Sequence, residues 1–133
     1  MTLYEIEQAI SDYLEEEWWY TPVRLINKDD ASPLPFIECY FKPGNVNSLE
    51  IQGAGERVGV FIINIYTKKG VGVQQGMSYG DTLESLFWHK TISGVTCESD
   101  YILPYTKYIG IDAALNACHH QTIIPFSVIM ESL

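Results

Sequence analysis

Leu3, Ile6, Ile10, Tyr13 and Leu14 recur at the spacing that puts side chains on one side of a helix, while Glu5, Glu7, Asp12, Glu15 and Glu16 fall mostly off that side. Thr2 and Glu5 form a T-x-x-E capping box just ahead of the run. The pattern predicts a first helix from about Leu3 to Glu17. Beyond it the period changes. In "YTPVRLIN", Val23 and Leu25 alternate with their neighbours and predict a short strand, followed by "KDDASPLP", a loop by its Asp, Ser and Pro content. "FIECYFK", 36 to 42, predicts a strand with Ile37, Cys39 and Phe41 on one face, ended by Pro43-Gly44. "GNVNSLEIQGAGE" is polar and glycine-rich with Leu49 and Ile51 alternating inside it, and predicts a long mobile arm or hairpin. "RVGVFIINIYT", 57 to 67, carries Val58, Val60 and Ile62 on one face and Phe61, Ile63 and Ile65 on the other. Apolar side chains on both faces predict a central strand covered on both sides, with Asn64 as its polar interruption.

A second helix is predicted from Val73 to His89, with Val73, Met77, Gly80, Leu83 and Phe87 on one face, thinned by Gly76 and Gly80. Glycine inside a helix costs up to about 1 kcal/mol relative to alanine, so close approach to a sheet is the expected compensation. "TISGVTCES", "KYIGIDA" and "HQTIIPFSVIM" read as three further strands, the last demoted to an edge or a bulge by Pro125. Strands in runs with two segregated helices predict one α+β domain over residues 1–133: a mostly antiparallel or mixed β-sheet with two helices packed on it and a long arm or hairpin between strands.

Composition changes that picture little. Of the 133 residues, 47% are apolar and 19% charged, which is ordinary globular material. Charge changes it more. With 17 acidic against 8 basic residues the net charge is −9, and Lys68-Lys69 is the only adjacent basic pair. A protein that grips nucleic acid by its phosphates presents a basic stripe, so a DNA-binding module is disfavoured. Cys39, Cys97 and Cys118 are widely spaced without a CxxC, and read as reduced, partly buried thiols of a cytosolic protein. The acids of "MTLYEIEQAI" stand where a signal peptide would carry lysines, and no apolar run reaches the roughly 18 residues of a membrane span, so synthesis in the cytoplasm and no membrane partner are expected.

Candidate chemistry is thin. "TKKGVGVQQG", 67 to 76, looks like a phosphate cradle, yet its glycines fall as G-x-G-x-x-x-G and its lysines precede them. A sharp strand-to-helix hinge, where glycine supplies positive φ without steric cost, is the better reading. "CHH" would put Cys118 and His120 on one face of a strand and His119 on the other; two ligands could begin a zinc site only with two more, such as His89 and Cys97, whose spacing does not recommend them. Glu15, Glu16 and Glu17 fan around a helix end and do not converge for acid–base work. Trp18, Trp19 and Tyr20 cannot all enter a core from consecutive positions; at most one or two can, and the two readings are a protein contact for the remainder or plain core packing. No catalytic, cofactor or metal residue is assigned.

Taken in order, "TLYEIEQAISDYL", "PFIECYFKPG", the polar arm, "ERVGVFIINIY", "KKGVGVQQGMSYGDTLESLF" and the final "IPFSVIM" resemble the tail-terminator-like proteins of long-tailed, non-contractile bacteriophages over nearly the whole chain. The residues that carry the resemblance are Phe41, Pro43, Arg57, Gly59, Tyr66, Gly70, Gly72, Asp81 and Phe87. The resemblance implies a structural virion protein, not an enzyme, with no cofactor. It implies a homo-oligomer, a hexameric ring that caps the head-proximal end of the tail tube and ends its polymerisation. The implied partners are the tube protein below and a head–tail neck protein above, with DNA passing the lumen without specific binding; the implied location is the tail of the virion. Residues offered for subunit or tube contact are Asn45, Asn47, Leu49, Glu50, Ile51 and Gln52 of the arm, Arg57 at its base, and Trp18 and Trp19. The family pattern often has more arginine near Glu56-Arg57, and the "CHH" and "WWY" segments match nothing in it. A related head–tail joining or tail-completion protein is the alternative, and a small ligand-binding or enzymatic domain with a pocket at "GVGVQQG" is a further one.

Overall fold

A computed structural model describes residues 1–25, 33–48 and 55–130. The elements run α1 (Leu3–Glu17), β1 (Val23–Leu25), β2 (Phe36–Ser48), β3 (Gly55–Lys68), α2 (Gly72–Phe87), β4 (Thr91–Ile92), β5 (Val95–Thr96), β6 (Tyr105–Asp112) and β7 (Ala117–Met130). The seven strands form one sheet in the order β1-β2-β3-β7-β5-β4, with β6 also paired to β7. Among the described residues only the β1–β2 pair is parallel; the others are antiparallel. This is the expected α+β architecture with a mixed sheet.

Both helices lie on the same face. α1 starts at the predicted capping box: Glu5 N–H donates to Thr2 Oγ1 at 3.1 Å and Thr2 N–H to Glu5 Oε1 at 3.0 Å. Its stripe of Ile6, Ile10 and Leu14 is fully buried, each side chain contributing roughly 1.5–3 kcal/mol by leaving water. The stripe packs with Ile37 and Cys39 of β2, Phe61, Ile63 and Ile65 of β3, Leu83 and Phe87 of α2, and Ile124, Phe126 and Val128 of β7 in one core. Tyr13 joins the helices, its ring edge-on to Phe87 at 5.3 Å and its hydroxyl donating to Leu86 C=O at 2.7 Å.

β3 is central, between β2 and β7, as its two-sided pattern predicts. Residues 61–67 are buried on both faces, but Val58 and Val60 are only half-buried. β2 does not stop at Pro43-Gly44. A register shift between Pro43 and Val46 absorbs the irregularity and the strand runs on to Ser48. Gly44 makes the shift possible, since a Cβ there would come within 2.9 Å of the Val58 carbonyl oxygen. The predicted arm is therefore a hairpin at its base, with Asn47 opposite Glu56 and Ser48 opposite Gly55.

Three further expectations are corrected. Pro125 is not at an edge: β7 pairs with β3 along its length, Val60 opposite Pro125. On its other side β7 pairs with β6 up to Ile123 and with β5 at Ser127, so Pro125 sits in the gap between them, where no strand asks for an N–H. The buried face of α2 is also rotated from the predicted one. Gly72, Gly76, Gly80, Leu83 and Phe87 face the sheet, while Val73 and Met77 are exposed. The glycines, not the larger apolar residues, set the contact. A Cβ at Gly76 would run into the His120 ring, and one at Gly80 would lie 2.5 Å from Thr106 Cγ2. "TISGVTCES" is a tight two-strand hairpin, β4–β5, turning through Ser93 and Gly94 with positive φ.

Candidate functional site

The stretch 67 to 76 is a hinge. Lys68 and Lys69 are exposed where β3 ends, and Gly70 turns the chain at φ +99°. The buried Thr67 hydroxyl donates to the Gly72 carbonyl at 2.7 Å, pinning the strand end to the first turn of α2. Gly72 then lies flush against the sheet, where a Cβ would meet Thr67 Oγ1 at 2.6 Å and Cys118 Sγ at 3.1 Å.

The "CHH" segment splits across β7 as expected, with Cys118 and His120 under α2 and His119 on the opposite face. There His119 joins a polar cluster that the sequence announced only through the interruption at Asn64. Gln121 Nε2 donates to Asn64 Oδ1 at 3.0 Å, so that oxygen is an acceptor and His119 donates to it from Nε2 at 2.8 Å. The His119 ring stacks on Tyr66 at 4.6 Å, Tyr66 packs on Phe36 at 5.1 Å, and the Arg24 guanidinium lies 4.8 Å from the centre of the Phe36 ring. Burial lowers the His119 pKa, against the carboxylates of Asp112 and Glu38, which raise it. Burial, reinforced by Glu38, pushes the Tyr66 phenol up to about 12.

His120 is in a different situation. It is 1% exposed, sealed beneath Gly76, with Tyr108 tilted against it at 4.9 Å, and neither ring nitrogen has a hydrogen-bond partner. Burial, and then the neighbouring His119, hold its pKa below the ordinary imidazole value. The three thiols are buried, and burial pushes Cys97 up to about 12 and Cys39 higher still. Among the described residues, no group of three or more His, Cys, Asp or Glu side chains is placed to hold a metal ion. Among the described residues, no helix is long and apolar enough to cross a membrane.

The residues offered for assembly contacts separate. Asn45 is exposed on β2 within the register shift, and Asn47 pairs with Glu56 next to the last described pair of the hairpin. Leu49, Glu50, Ile51 and Gln52 lie outside the described residues. Arg57 is half-buried at the hairpin base, opposite Val46 on one side and Val128 on the other. Trp18 is a core residue, 3% exposed, its Nε1 donating to Thr21 Oγ1 at 2.9 Å and its ring edge-on to Tyr79 at 5.5 Å. Trp19 is 77% exposed and stacks on Tyr20 at 4.2 Å. Exposed apolar side chains that no sequence argument singled out add to this surface: Val46 and Ile129 at the hairpin end of the sheet, and Tyr108 and Ile111 on β6.

No protein-family model matches the chain, and no curated protein matches it. A protein of solved structure is similar in fold. It superposes with a TM-score of 0.61 at 18% identity, over 98% of this chain and 96% of its own. At that identity the likeness speaks for the fold alone.

Proposed function

We propose that the chain is a structural protein of a long-tailed phage that closes the head-proximal end of the tail tube as a homo-oligomeric ring, ending tube growth and presenting a surface to the head–tail neck. The observation that supports this reading best is the limb formed by β2, β3 and β7. These strands run 13, 14 and 14 residues, and the hairpin stays paired out to Ser48 and Gly55. Its end carries Val46 and Ile129 at 53% and 68% exposure. A long paired limb that shows apolar side chains to solvent suits heterologous contact, in which one surface of a subunit meets a different surface of the next and the rotation closes a ring. Arg57, paired with Val46 and Val128 near that end, is placed to anchor a neighbour's carboxylate. The net charge of −9 suits a lumen that DNA slides through, because phosphates find few counter-charges there.

Replacing residues 45–54 by a two-residue turn is the test. The protomer should fold with unchanged near-ultraviolet circular dichroism and lose its ability to cap. Virions assembled with the shortened protein should carry overlong tubes. Normal tails detached from heads would instead favour a joining protein, and normal virions would remove the limb from the account.

A further inference from the structure

The "WWY" cluster at the end of α1 is left unused by the ring contact proposed for the limb. Its three rings form a graded stack. Trp18 is fixed in the core, Tyr20 lies against it at 4.9 Å, and Trp19 covers Tyr20 at 4.2 Å and 21° between planes. Tyr20 is 46% exposed and Trp19 77%. The outer pair is thus held by contact with a core residue and presented to solvent already ordered. Large aromatic side chains that lose little freedom on contact are the kind that dominate protein interfaces.

The charge around the pair is one-sided. α1 holds Glu5, Glu7, Asp12, Glu15, Glu16 and Glu17 and no lysine or arginine; the first basic residue of the chain is Arg24. Glu15, Glu16 and Glu17 are exposed in the last turn, where no basic residue accompanies them. That is the wrong end for carboxylates, because the helix terminus already carries a partial negative charge from its free carbonyls. The arrangement disfavours the isolated helix. It becomes favourable once a cation is brought against it, so the complementary surface is basic. Of the two cationic side chains, arginine also stacks on an aromatic face and pairs with carboxylates in a planar fork.

We propose that the end of α1, with Trp19 and Tyr20 as anchor and Glu15, Glu16 and Glu17 as rim, is the docking surface for a different protein that presents exposed arginines. This rests on the assembly reading above and gives the chemistry of one of its partners: the tube or neck component that meets this face carries an arginine-rich patch.

The test uses the whole chain and two probes, a nine-residue peptide of alternating arginine and glycine and its lysine counterpart, followed by amide chemical-shift mapping and tryptophan fluorescence at low and moderate salt. The expected result is a set of shifts centred on residues 15–20, with the arginine peptide bound more tightly than the lysine one. Trp19→Ala should weaken binding at least about fivefold, as loss of a contact anchor does. Glu15→Gln/Glu16→Gln/Glu17→Gln should weaken it further and flatten the salt dependence. Both variants alter exposed side chains and leave the core untouched. Shifts spread over every acidic surface, equal binding of the two peptides, or full binding by Trp19→Ala would overturn the proposal. A change in the sedimentation of the protein alone on Trp19→Ala would overturn it too, because a second copy would then be the occupant. Tube capping is scored separately, so failure here leaves the ring reading standing and the reverse also holds.

Discussion

At the scale of single residues, His120 is the side chain whose behaviour the structure fixes most closely. Both its nitrogens are buried without partners, and its pKa is lowered by that burial. The unfolded chain takes up the proton first as pH falls below the ordinary imidazole value near 6.5. The neutral ring therefore supports the fold fully above that pH, and the support fades as pH drops from there through the lowered folded value. His119 titrates with the same sign. Glu84 works against them, since burial raises its pKa and protonation relieves it. The clean readout is a difference. Denaturant midpoints of wild type and His120→Leu, measured from pH 7.5 to 5, should fall less steeply for the variant, so that the difference between them changes with pH; parallel curves would mean that His120 is not sealed. A second expectation concerns the thiols. Buried and, for Cys97, shifted up to about 12, they should react with a thiol reagent at pH 8 no faster than the protein unfolds. The capping residues of α1 were legible in the sequence because Thr2 and Glu5 act within one turn. The partners of Asn64 were not, because a hydrogen bond between β3 and β7 depends on a register that a separation of 55 positions does not announce.

At the scale of elements, the seating of α2 decides what substitution can do. Alanine in place of glycine raises helix propensity by up to about 1 kcal/mol. At Gly76 that gain is opposed by overlap with the His120 ring, and overpacking of a tight contact costs typically about 1–3 kcal/mol. Gly76→Ala should therefore destabilise the protein in urea unfolding, and Gly80→Ala should do so against Thr106. A stabilised Gly76→Ala would show that α2 does not rest on β7 as described. The same contact explains why the helical pattern misled. Val73 and Met77 share a stripe with apolar residues and look like the buried face, but the side with no Cβ approaches closest, and only knowledge of what lies beneath distinguishes the two. Strand ends were illegible for a related reason. Pro43-Gly44 and Pro125 are strong breakers locally, yet each falls where the sheet can spare a bond: a register shift in β2 and a gap between β6 and β5.

At the scale of the molecule, the sheet is helix-covered on one face and extends into a limb with exposed apolar ends, while the acidic end of α1 shows an ordered aromatic pair. The alternating periods of the sequence were enough to reach an α+β domain with two helices and a hairpin, because each period reports a buried side. They do not report where a chain expects another chain, since an exposed Val46 or Trp19 looks the same in sequence as a buried one. The proposed role is closure of a tail tube. Its most direct test is electron microscopy of the purified protein mixed with growing tail tubes of a long-tailed phage. A ring of density at one end of each tube, with tube lengths ceasing to increase, is the result predicted. Bare ends and continued elongation at saturating protein would contradict it.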